Sequence, residues 1–139
     1  MSGSFPLQSS GIVFCRTVKN AVAQGEPPYE GEFNHLNFEQ IPSPATTFNI
    51  VTRISNFGVD RTYHIFYLIK FPDGQSLETP HFICRPPHPA ARELVIFVPS
   101  FIFEAQGVYR FELYAGPHKL AVKDLTVAVK SGGTVVTRW

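Results

Sequence analysis

Charged residues are scarce in this chain of 139 amino acids: Asp, Glu, Lys and Arg together make up 17% of it, against about 25% in average soluble domains. The 12 basic and 11 acidic residues give a net charge of +1, and the basic ones are scattered along the chain. Domains that bind nucleic acids usually concentrate Lys and Arg on one face. We therefore expect no nucleic-acid partner.

Long apolar runs and export signals are missing as well. No apolar run approaches the roughly 18 residues that a membrane helix needs, so we expect no membrane insertion. The stretch MSGSFPLQSSGIVFCR (1–16) has no early Lys or Arg and no sustained apolar segment, which argues against a signal peptide. No Asn-x-Ser/Thr sequon occurs in the chain. These absences favour a cytoplasmic location.

Cysteine and catalytic motifs are equally sparse. Cys15 and Cys84 are the only cysteines, and without an export signal we expect them to be free thiols. The chain contains no Gly-x-Ser-x-Gly, phosphate loop, Cys-x-x-Cys or His-Glu-x-x-His motif. The sequence therefore predicts neither an enzyme nor a cofactor site.

Phenylalanine, by contrast, is abundant. The chain has 13 Phe and 5 Tyr, together with 12 Pro and 10 Gly. This composition favours pleated strands and interrupts helices. The length suits one domain that buries about two thirds of its unfolded surface. We predict a single β-sandwich domain over residues 1–139, with 1–9 and 131–139 as candidate frayed termini.

Several stretches show the alternation of strands. TFNIVTRIS (47–55) places Phe48, Ile50, Thr52 and Ile54 on one face. RTYHIFYLIKF (61–71) is apolar on both faces, which is typical of a central strand. ELVIFV (93–98) is a compact run that Pro99 would stop, and KLAVKDLTVAVK (119–130) changes phase as though bulged at Lys123–Asp124. The pattern predicts an all-β, antiparallel sandwich of seven to eight strands, with one long loop over 21–45.

QGVYRFELY (106–114) resembles the start of strand F in immunoglobulin-like sandwiches. That resemblance implies a tyrosine corner at Tyr109, whose phenol would bond back to the backbone. No Cys…Trp…Cys framework is present, so an antibody-type domain is excluded. The C-terminal hairpin is also similar to that of a family of small, uncharacterised bacterial β-sandwich domains. The residues that carry this likeness are Gly107, Tyr109, Phe111, Leu113, Leu120 and Ala121. It implies an immunoglobulin-like sandwich and transfers no active site.

The proline-rich segment TPHFICRPPHPAARE (79–93) brings His81, Cys84 and His88 close together in sequence. Zinc generally takes four ligands of these types, and a thiol beside Arg85 could become nucleophilic. Prolines hold the segment extended, however, and no fourth ligand is placed nearby. We predict a stiff loop between strands, with a metal site or a reactive thiol as the alternatives.

The aromatic excess suggests association. If the strands bury one face, the opposite face carries His64, Phe66, Leu68, Val95 and Phe97. Such an apolar surface needs a cover, either the long loop or another subunit. We therefore predict a non-enzymatic binding or assembly module that forms a homodimer through a sheet face. One alternative is a carbohydrate-binding module that uses Tyr29, Tyr114 or Trp139, and the other is a small metal- or thiol-dependent enzyme.

Overall fold

A computed structural model of the protein describes residues 7–19, 29–87 and 91–135, and these residues form strands and turns with no helix. In chain order the strands are β1 (Gln8–Ser9), β2 (Val13–Cys15), β3 (Thr17–Val18), β4 (Tyr29–Glu30), β5 (His35–Ile41), β6 (Thr46–Ser55), β7 (Tyr63–Lys70), β8 (Ser76–Glu78), β9 (Phe82–Cys84), β10 (Arg92–Phe101), β11 (Gly107–Ala115) and β12 (His118–Val135).

Two sheets and one small hairpin contain these strands. The small sheet has four strands, with β1 and β2 along one edge of β6 and β10 along the other. The large sheet has six strands in the order β5, β12, β11, β7, with β8 and β9 both pairing the far side of β7. β3 and β4 pair separately. The all-β, immunoglobulin-like sandwich predicted from the sequence is confirmed, although the described residues form twelve strands instead of seven to eight and β5 and β12 run parallel.

The core lies between the two sheets and is largely aromatic. Phe14 of the small sheet meets Phe111 of the large sheet edge to face, with ring centroids 4.8 Å apart. Phe48 and Phe103 stack beside them, and all four side chains are buried. Such ring pairs add about 0.5–1.5 kcal/mol each beyond their burial. The abundant Phe residues therefore supply the contacts that hold the two sheets together.

The alternation predicted for β6 and β7 is present in the structure. Phe48, Ile50, Thr52 and Ile54 all face the core and are buried. β7 lies inside the large sheet, as its apolar character predicted, and it sends one set of residues into the core. That set is Tyr63, Ile65, Tyr67 and Ile69.

Three local expectations were wrong. Residues 35–41 of the supposed loop form β5, which pairs with β12. The irregularity of the last hairpin lies at Leu120, between the pairs Leu113–Ala121 and Tyr114–Lys119, and not at Lys123–Asp124. Pro99 does not stop β10, which continues to Phe101 after a shift in register. Residues 20–28 of the connection lie outside the described part of the chain.

Both candidate frayed termini contain strand residues: β1 spans Gln8–Ser9, and β12 extends to Val135, so a last edge strand, the alternative to a frayed tail, is present over part of 131–139. Residues 1–6 and 136–139 lie outside the described ranges. In β11, the partner strand of β12, Tyr109 is buried and its hydroxyl donates a hydrogen bond of 2.7 Å to the carbonyl oxygen of Ala105. This contact is of the kind that defines tyrosine corners.

Candidate interaction surfaces

The five residues predicted to form one apolar surface lie on two different sheets. His64, Phe66 and Leu68 are on β7 and point away from the core on the large sheet. Val95 and Phe97 are on β10 and point away from the core on the small sheet. The expectation of a single surface was wrong, because the two strands pair with different neighbours.

On the large sheet, three rings form a stacked row across the outer face. Phe66 lies between His81 and Tyr114, with centroid distances of 4.2 Å and 5.4 Å and ring planes within 9° of parallel. His81 also shares a hydrogen bond of 2.8 Å with Glu78. Both faces of the Phe66 ring are therefore covered by neighbours within the same molecule. These stacked rings shield from solvent much of the apolar surface that the sequence predicted on β7.

A buried carboxylate lies next to this row. Glu112 is 2% exposed although it is on the outer face. Its carboxylate accepts hydrogen bonds from the Tyr114 hydroxyl at 3.1 Å and the Lys119 ammonium at 3.3 Å, and Lys70 lies 3.5 Å away. Burial alone would raise the pKa of Glu112, but the bonds from Lys119 and Tyr114 and the two lysine charges bring that pKa below its usual value. The cluster fixes the side chains around it.

On the small sheet, the apolar residues of β10 remain accessible. Val95 is 40% exposed and Phe97 is 61% exposed. Beside them, Val51 on β6 is buried, and a groove of ≈ 260 Å³ is lined in part by Val13, Tyr29 and Val51, together with Glu93 of β10. Tyr29 of the long connection thus lines the groove beside Val51, whereas Val95 and Phe97 of β10 stay exposed among the described residues.

β10 is also an edge strand. Among the described residues it pairs only with β6, so its other side faces no strand. The run from Leu94 to Val98 has no charge and no proline. Long, apolar edges of this kind are templates for pairing with another chain, and most proteins block them with Lys, Pro or a bulge. Sequence reasoning missed this position, although Pro99 inside the strand is a sign of an edge.

Part of the segment predicted as a stiff loop is the strand β9 (Phe82–Cys84), and this strand does not bring the His81 and Cys84 side chains to one point. Cys84 pairs with Tyr63 and packs against the core on the inner face, whereas the ring of His81 stacks on Phe66 on the outer face. His88 lies outside the described residues. Within the residues described, no three His, Cys, Asp or Glu side chains form a metal-binding group.

Both cysteines are free thiols. Cys15 is fully buried, and burial together with the nearby charge of Glu32 raises its pKa above the usual value. A raised pKa keeps the thiol protonated and poorly nucleophilic. Cys84 and His81 lie on opposite faces of the sheet, so His81 is not placed to act as its base.

Of the aromatic residues proposed for carbohydrate stacking, Tyr114 is occupied by contacts within the molecule. One face of Tyr114 lies on Phe66, and its hydroxyl donates to Glu112. Tyr29 pairs with Val18 in the β3–β4 hairpin and lines the groove beside Val51. Trp139 lies outside the described part of the chain.

No protein-family model and no curated protein sequence matches the chain. Solved structures that are similar to the chain over all or part of their own length include the following two. One is an immunoglobulin-like protein from Pseudomonas aeruginosa, 14% identical, with a TM-score of 0.52 over 91% of this chain and 99% of that one. The other is a β-glucosidase from Listeria innocua, 10% identical, with a TM-score of 0.52 over 94% of this chain and 16% of that one.

These likenesses establish an immunoglobulin-like fold and nothing about activity, since both identities are low. The described residues also include no helix long and apolar enough to cross a membrane.

Proposed function

We propose that this protein is a non-enzymatic binding module that associates with a protein partner through the β10 side of its small sheet. The observation that carries the proposal is the exposure of Val95 and Phe97, 40% and 61%, on a strand whose outer edge pairs with no other described strand. Covering two such side chains removes apolar area from water, which contributes roughly 25 cal/mol per Å².

The face of the large sheet is a poorer candidate for the contact. Its central ring, Phe66, is covered on both sides, and its buried Glu112 is held by two lysines. A partner docking there would have to remove water from Lys70 and Lys119, whose side chains are 52% and 45% exposed. Removing water from charges without new partners costs free energy. The β10 side imposes no such cost at Val95 and Phe97.

A pair of matched variants tests the proposal. Val95→Lys places a charge on the β10 side, and Val122→Lys places the same charge on the large sheet, where Val122 is 46% exposed. Tagged wild-type and variant proteins are purified from the native host, and the proteins that co-purify in fixed proportion are quantified. We expect Val95→Lys to lose the partner and Val122→Lys to keep it. Retention of every partner by Val95→Lys would refute the proposal.

A further inference from the structure

The direction of the backbone groups on β10 can be read from its neighbour β6. Ser10 donates its N–H to the carbonyl oxygen of Arg53 at 2.9 Å, and the N–H of Arg53 donates to the Ser10 hydroxyl at 3.1 Å. The backbone groups of Arg53 thus point away from β10. Because these groups alternate along an antiparallel strand, Thr52 and Ile50 point theirs toward β10.

The partners of Thr52 and Ile50 on β10 are Leu94 and Ile96. Leu94 and Ile96 are therefore the residues that bond to β6, and the residues between them turn their N–H and C=O groups outward. These residues are Glu93, Val95 and Phe97. No described residue supplies a strand on that side.

The outward row ends at Phe97. The next residue in this alternating series is Pro99, which has no N–H to donate. Its carbonyl oxygen already accepts a hydrogen bond of 2.7 Å from the Thr47 hydroxyl. The free edge therefore offers three donors and three acceptors, spaced evenly about Val95. A second extended strand bonds to all of them when it presents three residues at the same alternate spacing, each with a free N–H and a free C=O.

We propose that the occupant of this edge is a second copy of the same chain, which pairs β10 with β10 in antiparallel orientation about a twofold axis at Val95. This inference rests on the proposed function of the β10 side and names its partner. In this register Val95 faces Val95 of the second copy, and Glu93 faces Phe97. The six outward backbone groups of each copy are all bonded, and the two four-stranded small sheets join into one of eight strands.

Other registers fit less well. A twofold axis at Glu93 places two carboxylates side by side, which is unfavourable for like charges directly opposite each other. A twofold axis at Ile96 sets Glu93 opposite Pro99, which has no N–H to donate to the Glu93 carbonyl. A twofold axis at Leu94 sets Phe97 opposite Ala91, which lies outside β10. The axis at Val95 pairs all three outward residues within β10.

Engineered disulfides distinguish these registers in the full-length chain with Cys84→Ser as background. Directly opposed residues of a hydrogen-bonded pair have Cα atoms about 5.5 Å apart, within the range for a disulfide. We expect Val95→Cys to form a covalent dimer on mild oxidation. We also expect a mixture of Glu93→Cys and Phe97→Cys to cross-link, although neither does alone, because like positions lie roughly 13 Å apart at ~3.4 Å per residue.

Amide hydrogen exchange of the unmodified protein gives a second measurement that does not depend on the variants folding. The amides of Glu93, Val95 and Phe97 should become protected as the protein concentration rises, in step with dimer formation in light scattering. Val95→Lys should raise the dimer Kd about tenfold or more, and Val122→Lys should leave it unchanged.

Three outcomes overturn the inference. A dimer in which only Phe97→Cys cross-links with itself indicates face-to-face packing instead of edge pairing. If the protein dimerises but shows none of these cross-links and no protection of these amides, the interface lies elsewhere on the molecule. A strict monomer at high concentration removes the second copy as occupant. In that case a native-host partner that is lost on Val95→Lys would still support the proposed function, and the absence of such a partner would refute both.

Discussion

The hydroxyl of Tyr109 donates a hydrogen bond of 2.7 Å to the carbonyl oxygen of Ala105, four residues earlier in the chain. The same hydroxyl accepts a bond of 3.3 Å from the Ala105 N–H. Burial raises the pKa of Tyr109 despite this bond to the backbone, so the phenol stays protonated and able to donate. The contact fixes the turn that leads from β10 into β11.

Removing this hydroxyl should destabilise the fold. In Tyr109→Phe the carbonyl and N–H of Ala105 both lose their partner, and we expect a loss of about 1–2 kcal/mol in the free energy of unfolding. Urea denaturation followed by fluorescence measures it. An unchanged midpoint would show that water replaces the phenol at this turn.

Tyr67→Phe should have the opposite effect. Tyr67 is fully buried, and its hydroxyl has no hydrogen-bond partner among the described residues. A buried polar group without a partner costs about 1–3 kcal/mol, so removing it should stabilise the protein by about 1 kcal/mol. The two Tyr→Phe variants serve as controls for each other in the same denaturation experiment. Destabilisation by Tyr67→Phe would point to a partner in the rest of the chain.

The fold was predictable wherever the pattern was local. The alternation in β6 and the apolar character of β7 identified both strands and their buried faces. Burial on one face requires apolar residues at every second position, and burial on both faces requires a continuous apolar run. The Gly-x-Tyr element at Gly107 and Tyr109 likewise pointed to the corner before β11. These features depend on neighbours within about ten residues.

What could not be predicted depended on long-range pairing. β5 pairs with β12 across some 90 residues of chain, and its sequence HLNFEQI alternates between polar and apolar residues only as far as Glu39. The sheet that β10 joins is likewise determined by its pairing with β6. The sequence pattern did not show this pairing, so Val95 and Phe97 were wrongly assigned to the same surface as the β7 residues. The burial of Glu112 was also missed, because it requires Lys70 and Lys119 from two other strands.

Gly107→Ala should destabilise the start of β11. Gly107 has a φ of +137°, a conformation that side chains rarely adopt, and a Cβ there would lie 2.8 Å from the Cβ of Pro72. We expect a loss of about 1–3 kcal/mol. Gly74→Ala is the matched control, because Gly74 also has a positive φ, +91°, but open space around it. If both variants melt alike in a thermal scan, the contact with Pro72 is unimportant.

The Glu112 cluster should make stability depend on pH in the acid range. The pKa of Glu112 in the folded protein lies below its usual value of 4.5, so its ionised form favours folding. This contribution is fully present above the unfolded pKa and is lost as the pH falls through the lower, folded one.

Glu112→Gln should therefore lower the free energy of unfolding at pH 7 by on the order of 1 kcal/mol and flatten its acid decline. Urea denaturation of wild type and variant between pH 7 and pH 2.5 measures both effects. The difference between the two proteins should shrink toward low pH, where wild-type Glu112 is protonated as well. A constant difference across this range would mean that the charge of Glu112 contributes nothing and that only its packing matters.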